Sequence, residues 1–185
     1  AIFIAILKKQ LVCRTIELMI QLYNTLTRHK DELNPLDGQT VRMYTCGLTV
    51  YSQPHIGNWV GYIYWDVLVR LLHWQDISVI RTQNITDVGH LTSDDDGGED
   101  KMEKGARREG KTAWDVAEQY IAIADHEAYE VLSLVRPDHL VRATDYIQQQ
   151  IDFAKGLDEK GFLYKIDGDG MYFDTSRLAD FGKLA

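Results

Sequence analysis

Residues 41–81 limit the possible folds of this chain more than any other stretch, because their hydrophobic period changes twice within them. Residues 41–51 (VRMYTCGLTVY) are rich in β-branched and aromatic side chains, as in a short buried strand with its following loop. Apolar residues then recur at Trp59, Ile63, Val67, Leu71 and Trp74, with Leu68 and Leu72 widening the stripe. That spacing predicts a helix over 58–74 packed on a sheet. Residues 77–81 (ISVIR) read as a second strand, and the polar run QNITD at 83–87 as the loop after it. A strand–helix–strand unit of roughly 40 residues is the minimal parallel, right-handed crossover, which points to an α/β nucleotide-binding architecture.

The flanks are read more coarsely. Residues 1–18 contain no turn chemistry and no initiator Met, and are expected to be an upstream extension ahead of Met19. Asn34-Pro35 and Asp37-Gly38 mark a turn. Residues 94–111 are charged and glycine-bearing, as an exposed loop or lid would be. One helix is expected over 112–134, stopped by Arg136-Pro137-Asp138. A second is expected from Thr144 as N-cap to Gly161, then a hairpin over 162–174.

The composition of the 185 residues, 45% apolar and 26% charged, is that of a soluble globular protein. A formal charge of −8 disfavours non-specific nucleic-acid binding but leaves room for a local basic patch. Two cysteines, Cys13 and Cys46, build no disulfide framework, which fits a cytoplasmic protein. No apolar run reaches the roughly 18 to 20 residues needed to span a bilayer, and Lys8 and Lys9 follow the short apolar start instead of preceding it.

Two motifs compete for the chemistry. Gly105 to Thr112 fits the phosphate-loop formula G-x-x-x-x-G-K-[ST], but a phosphate loop follows a buried strand, and here DDDGGEDKMEK precedes it. The stronger constellation is CGLTVY at 46–51 followed by His55-Ile56-Gly57-Asn58. It lies where a strand passes into a helix, and a helix N-terminus with free N–H groups suits a phosphate chain. His55 is a donor to phosphate oxygens, Gly57 lets a nucleotide approach the backbone, and Asn58 is a cap or a ligand donor. Taken alone, the tetrapeptide is equally an ordinary turn.

CGLTVY followed three residues later by HIGN resembles the first class-defining motif of class I aminoacyl-tRNA synthetases in its cysteine-specific form. Further segments resemble the same family in the same order. They are Asn24 to Arg28 (NTLTR), Asn84 to Asp87 (NITD), Arg136-Pro137-Asp138, Arg142-Ala143-Thr144, Phe173-Asp174 and Gly182-Lys183-Leu184. The resemblance spans residues 19–185. It implies a Rossmann-like parallel-sheet catalytic domain, with 19–185 as its N-terminal half and a helical and hairpin insertion beginning in the second half. It implies ATP-dependent activation of cysteine and its transfer to tRNA(Cys), with Mg2+ accompanying ATP. By position, Cys46 matches a zinc ligand, Gly47, Thr49 and Thr86 the cysteine pocket, and His55, Gly57 and Asn58 the ATP signature, with His55 and Asn58 as the catalytic pair. Zn2+ suits such a site because it binds the substrate thiolate, for which a hydroxyl is a poor substitute.

This sequence departs from the family at several points. One zinc ligand is present; the others, and the Lys-Met-Ser-Lys-Ser loop, are expected beyond Ala185, so the chain alone is expected to be inactive. Gly89-His90 stands where many relatives carry two acidic residues, with His90 expected at the surface. Trp59 to Tyr62 replaces an Arg-Thr pair. A monomer without membrane attachment is expected. Two other functions share these motifs: a cysteine ligase acting on a small amine, as in mycothiol biosynthesis, and a non-catalytic nucleotide- or RNA-binding fragment.

Overall fold

A computed structural model of the chain describes residues 20–88 and 110–184. The expected extension at 1–18, Cys13, His90 and most of the charged segment 94–111 lie outside the described residues. Two compact units are present, one drawn from both ends of the chain and the other spanning Pro35–Phe173. In the first, β1 (Gln21–Asn24) and β2 (His29–Glu32) pair antiparallel through a turn in which Arg28 has a φ of 60°. Thr27 Oγ1 and Asn24 Nδ2 both donate to Asp31, at 2.7 and 2.8 Å, and hold its carboxyl below the usual carboxylate range.

The second unit carries β3 (Thr40–Thr45), α1 (Ile56–Trp74), β4 (Ser78–Ile85), α2 (Ala113–Asp125), β5 (His139–Arg142), α3 (Ile147–Glu159), β6 (Leu163–Ile166) and β7 (Gly170–Phe173). Strands β3, β4 and β5 form a three-stranded sheet in that order, and both pairings are parallel, with Val41 opposite Val79 and Thr82 opposite His139. A parallel pair demands a crossover, which α1 supplies between β3 and β4. This is the α/β, Rossmann-like arrangement expected. β4 continues to Ile85, so QNI, read as loop, completes the central strand.

The core lies where the segment after β3 meets α2. Val50, Val116, Ala117 and Tyr120 are buried together, with Leu48 and Ile85 packed against them. Each fully buried aliphatic side chain of this kind stabilises by about 1.5–3 kcal/mol.

The buried side of α1 keeps only part of the predicted stripe, Trp59 and Leu72. Trp59, Asp66, Val69 and Leu72 are buried, while Val67 is 58% and Trp74 68% exposed. Apolar residues occupy both sides of this helix, so periodicity does not choose between them. Hydrogen bonding distinguishes the buried side. Asp66 accepts from the Val135 N–H and from Arg70 Nε, each at 2.6 Å, and a buried carboxylate needs such partners.

The helix expected over 112–134 is regular only through Asp125. It then widens into a π-helical turn, His126–Val131, where the Leu132 N–H donates to Glu127 O at 2.9 Å. Arg136 follows with a bidentate pair to Asp125 at 2.7 and 2.9 Å, its guanidinium 3.9 Å over the Tyr129 ring. Asp138 accepts from the Arg81 backbone N–H at 2.8 Å, joining the segment before β5 to the middle of β4. Thr144 does not cap α3. Its hydroxyl and N–H both donate to the buried Asp87, at 2.6 and 3.1 Å, and a 3-10 turn over Ala143–Tyr146 leads into α3. Gly161 ends that helix with a φ of 74°, and the β6–β7 hairpin forms as expected, with Phe162 stacked on Phe173. Among the described residues no helix is long and apolar enough to cross a membrane.

If Leu72, which is fully buried, anchors α1, then Leu72→Ala lowers the unfolding free energy by about 2–5 kcal/mol. Val67→Ala, on the side that the sequence pattern had favoured, changes it by only about 0.5 kcal/mol. Urea denaturation of both variants checks the contrast.

Candidate functional site

The candidate residues gather at the C-terminal ends of β3 and β4. Asn84, near the end of β4, organises them. Its Oδ1 accepts from the Gly47 N–H and from the Tyr44 hydroxyl, each at 2.8 Å, while its Nδ2 donates to Thr86 Oγ1 at 3.0 Å. A Cβ at position 47 would lie 1.5 Å from Asn84 O, so only glycine fits there. Thr49 forms a parallel bridge with Thr86. On either side of that bridge the Thr86 N–H donates to Leu48 O at 2.9 Å, and the Val50 N–H to Thr86 O at 3.2 Å. Gly47, Thr49 and Thr86, chosen from sequence for one pocket, are thus brought together. Asn84 received no role from sequence reasoning, although the tetrapeptide NITD contained the signal.

Cys46 stands beside them, exposed, with Sγ 3.6 Å from Gly47 O. Zinc takes about four ligands. Among the described residues no three His, Cys, Asp or Glu side chains are grouped so that they could hold a metal ion. Cys46 therefore offers one thiolate, and the described residues do not complete a zinc site by themselves.

His55, Gly57 and Asn58 form the start of α1. His55, not Asn58, is the N-cap residue: its Nδ1 accepts from the Gly57 N–H at 3.1 Å. Asn58 closes the capping box by accepting the His55 N–H on Oδ1 at 3.0 Å. With Nδ1 accepting, the neutral ring carries its proton on Nε2, and the Asn58 amide keeps its Nδ2 hydrogens. Both are donors beside a helix N-terminus whose first turn has no acidic residue to offset its partial positive charge. A Cβ on Gly57 would press to 3.0 Å from His55 Cε1, so this glycine leaves room for the capping ring. One turn on, Trp59 Nε1 donates to Glu127 Oε2 at 2.8 Å, and Gln53 Nε2 donates to Glu127 Oε1 at 3.2 Å. Glu127 was likewise not singled out from sequence; it lies far along the chain and in no motif.

Behind the strand ends lies an apolar pocket lined by Leu48, Val50, Trp59, Tyr62, Ile85 and Tyr129. Among the described residues the Tyr62 hydroxyl is buried without a partner. Burial, reinforced by Cys46 and Tyr129, pushes this phenol well above the ordinary tyrosine range, and Arg81 opposes the shift. Gly105 to Glu109 of the phosphate-loop match lie outside the described residues; at its end the Thr112 hydroxyl caps α2, pairing with Asp115.

Gly47→Ala should abolish the β3–β4 closure and cost more than about 4 kcal/mol, read as a collapse of the thermal transition. Tyr62→Phe should be neutral or stabilising at pH 7, because it removes a hydroxyl with no partner. A folded-state pKa raised above the unfolded value gives stability that is complete below about pH 10. That stability is lost as pH rises further. Urea titrations across the alkaline range should therefore show a shallower decline in Tyr62→Phe than in the parent.

The comparisons with known proteins agree with this geometry. Residues 32–185 match the family described as tRNA synthetases class I (C) catalytic domain. "Cysteine--tRNA ligase 1" of Burkholderia lata is 47% identical over 166 residues, covering 90% of this chain and 35% of that protein. The "Cysteine--tRNA ligase" of Zymomonas mobilis is 45% identical over 163 residues, covering 88% and 31%. That of Treponema denticola is 39% identical over 166, covering 90% and 33%. The chain thus spans about a third of the length of these relatives. With the family pattern running through both the parallel sheet and the capped helix start, the chain belongs to the class I (C) tRNA synthetase catalytic-domain family.

Proposed function

We propose that this chain forms the N-terminal part of the catalytic domain of a cysteine–tRNA ligase, residues 19–185 contributing to one catalytic domain. The observation that carries the reading is the convergence at one end of the sheet. Cys46 and the Gly47, Thr49 and Thr86 group stand on the segments just after β3 and β4, and the His55–Asn58 cap opens the helix that follows β3. Such a juxtaposition serves a reaction joining a small amino acid to a nucleotide.

In that reaction a carboxylate oxygen of cysteine attacks the α-phosphorus of ATP, forming cysteinyl-adenylate as pyrophosphate leaves. The terminal ribose hydroxyl of tRNA(Cys) then attacks the acyl carbon, and AMP leaves. The chain's own residues align and stabilise. His55 Nε2–H, the Asn58 amide and the helix N-terminus donate to phosphate oxygens with Mg2+ accompanying the nucleotide. Gly47, whose backbone closes onto Asn84, together with Thr49 and Thr86, borders the amino acid. Cys46 is one ligand for a zinc ion that would supply thiolate selectivity, with its other ligands outside the described residues. The acting protein is read as a cytoplasmic monomer. Neither the small-amine acceptor nor the non-catalytic fragment is favoured by any contact described above.

The test replaces the matching third of the Burkholderia lata relative with this chain and measures cysteine-dependent exchange of pyrophosphate into ATP. The chimera should exchange. His55→Ala should lower the rate roughly 100-fold, as loss of a charge-stabilising donor does, and Cys46→Ser should raise the KM for cysteine. A folded chimera in which both variants match their parent would overturn the assigned roles.

A further inference from the structure

We propose that Glu127 is the positioning residue for the nucleotide-binding turn, holding His55–Asn58 in its capped form from both sides. The proposal rests on the nucleotide reading given above. The two oxygens of this carboxylate reach residues on opposite sides of the turn, Gln53 two positions before it and Trp59 directly after it. The Trp59 side chain is buried, and a buried indole N–H needs an acceptor. Nothing between residues 53 and 59 supplies one; the acceptor comes from 68 positions along the chain.

The backbone at Glu127 is specialised for this reach. In a regular α-helix each residue advances the side-chain direction by about 100°. The π-helical turn begins at His126, and the carbonyl of Glu127 accepts its i→i+5 bond from the Leu132 N–H. The widened turn alters the direction in which α2 would have carried this side chain, and such turns recur at functional sites. The neighbouring acids are engaged elsewhere, Asp125 with Arg136 and Glu130 with His126 at 2.9 Å. Glu127 alone in this group bonds to the segment around His55. Its effect passes through two links: the carboxylate fixes Gln53 and Trp59, and these fix the backbone on which His55 Nδ1 meets the Gly57 N–H. That contact in turn leaves the ring proton on Nε2.

The experiment uses the 15N-labelled 185-residue chain and three variants, Glu127→Ala, Glu127→Gln and Gln53→Ala. In Glu127→Ala the Trp59 indole resonance should move. The Gly57 and Asn58 amides should exchange with solvent roughly tenfold faster, as expected for a lost hydrogen bond, while amides of Val79 to Gln83 in β4 keep their protection. Glu127→Gln should restore near-parent exchange, because a glutamine oxygen accepts from Trp59 and the Gln53 amide can turn to accept from the new N–H. Gln53→Ala, a change on an exposed residue, should give an intermediate increase and guards against a Glu127→Ala chain that does not fold. Unchanged Gly57 and Asn58 exchange with a displaced indole signal would overturn the proposal. Equal acceleration throughout β4 would also overturn it, since Glu127 would then support only the fold. Titration with MgATP of the Burkholderia lata chimera described above, the parent in this comparison, separates the two readings. If the parent shows no change at His55 or Gly57, the nucleotide reading fails, while the exchange comparison still decides the positioning. If the parent responds, Glu127→Ala should bind at least roughly tenfold more weakly.

Discussion

The contact between Gly47 and Asn84 governs the architecture of the site. Two parallel strands end side by side, and at their ends one asparagine side chain replaces the sheet's own ladder. It accepts from the backbone of one strand and from a tyrosine on that strand, then donates to a threonine on its own. A glycine is obligatory because the backbones pass at a distance that leaves no volume for a methyl group. The Thr49–Thr86 bridge follows from that closure, and so does the position of Cys46, held exposed between the strand and the glycine. Without this junction the residues would still stand near one another, but with no fixed spacing.

The helix start depends on a second closure of the same kind. His55 and Asn58 satisfy each other's backbone reciprocally, so the groups left over are all donors beside a positive helix end. Ordinary capping thus leaves hydrogen-bond donors, and no acceptors, on these two side chains. Asp87 joins the end of β4 to the turn before α3 through Thr144, and Asp138 joins the segment before β5 to the middle of β4 through the Arg81 N–H. Two acids that look like loop decoration in the sequence are thus anchors, Asp87 a buried one and Asp138 an exposed one. Burial of such groups is tolerated only because each has a donor within hydrogen-bond distance.

Much of this was legible in the order of residues. The strand–helix–strand unit, the hairpin after Gly161 and the grouping of Gly47, Thr49 and Thr86 were readable because they depend on local period, on turn chemistry and on a motif with fixed spacing. The buried side of α1 was not. Ile63, Val67, Leu71 and Trp74 are as apolar as the residues that face inward, and a helix that is apolar on both sides gives periodicity nothing to choose between. The π-helical turn was also invisible, since its extra residue satisfies the same composition as a regular helix. Thr144 was misassigned because a threonine before an amphipathic stretch satisfies the rule for a helix cap as well as the need of a distant carboxylate.

The sequence by itself determined the α/β class, the parallel crossover and the residue types available at the strand ends. Each of these follows from interactions among near neighbours along the chain. Only the tertiary structure decided that Asn84 ties Gly47 to Thr86, that His55 is the cap, that Asp66 faces inward and that Glu127 bonds to both sides of the His55–Asn58 turn. The long-range ones among those contacts join positions from 37 to 74 residues apart, and they depend on which hydrogen-bond partners burial leaves within reach. Sequence spacing carries no record of that distance in space; packing supplies it.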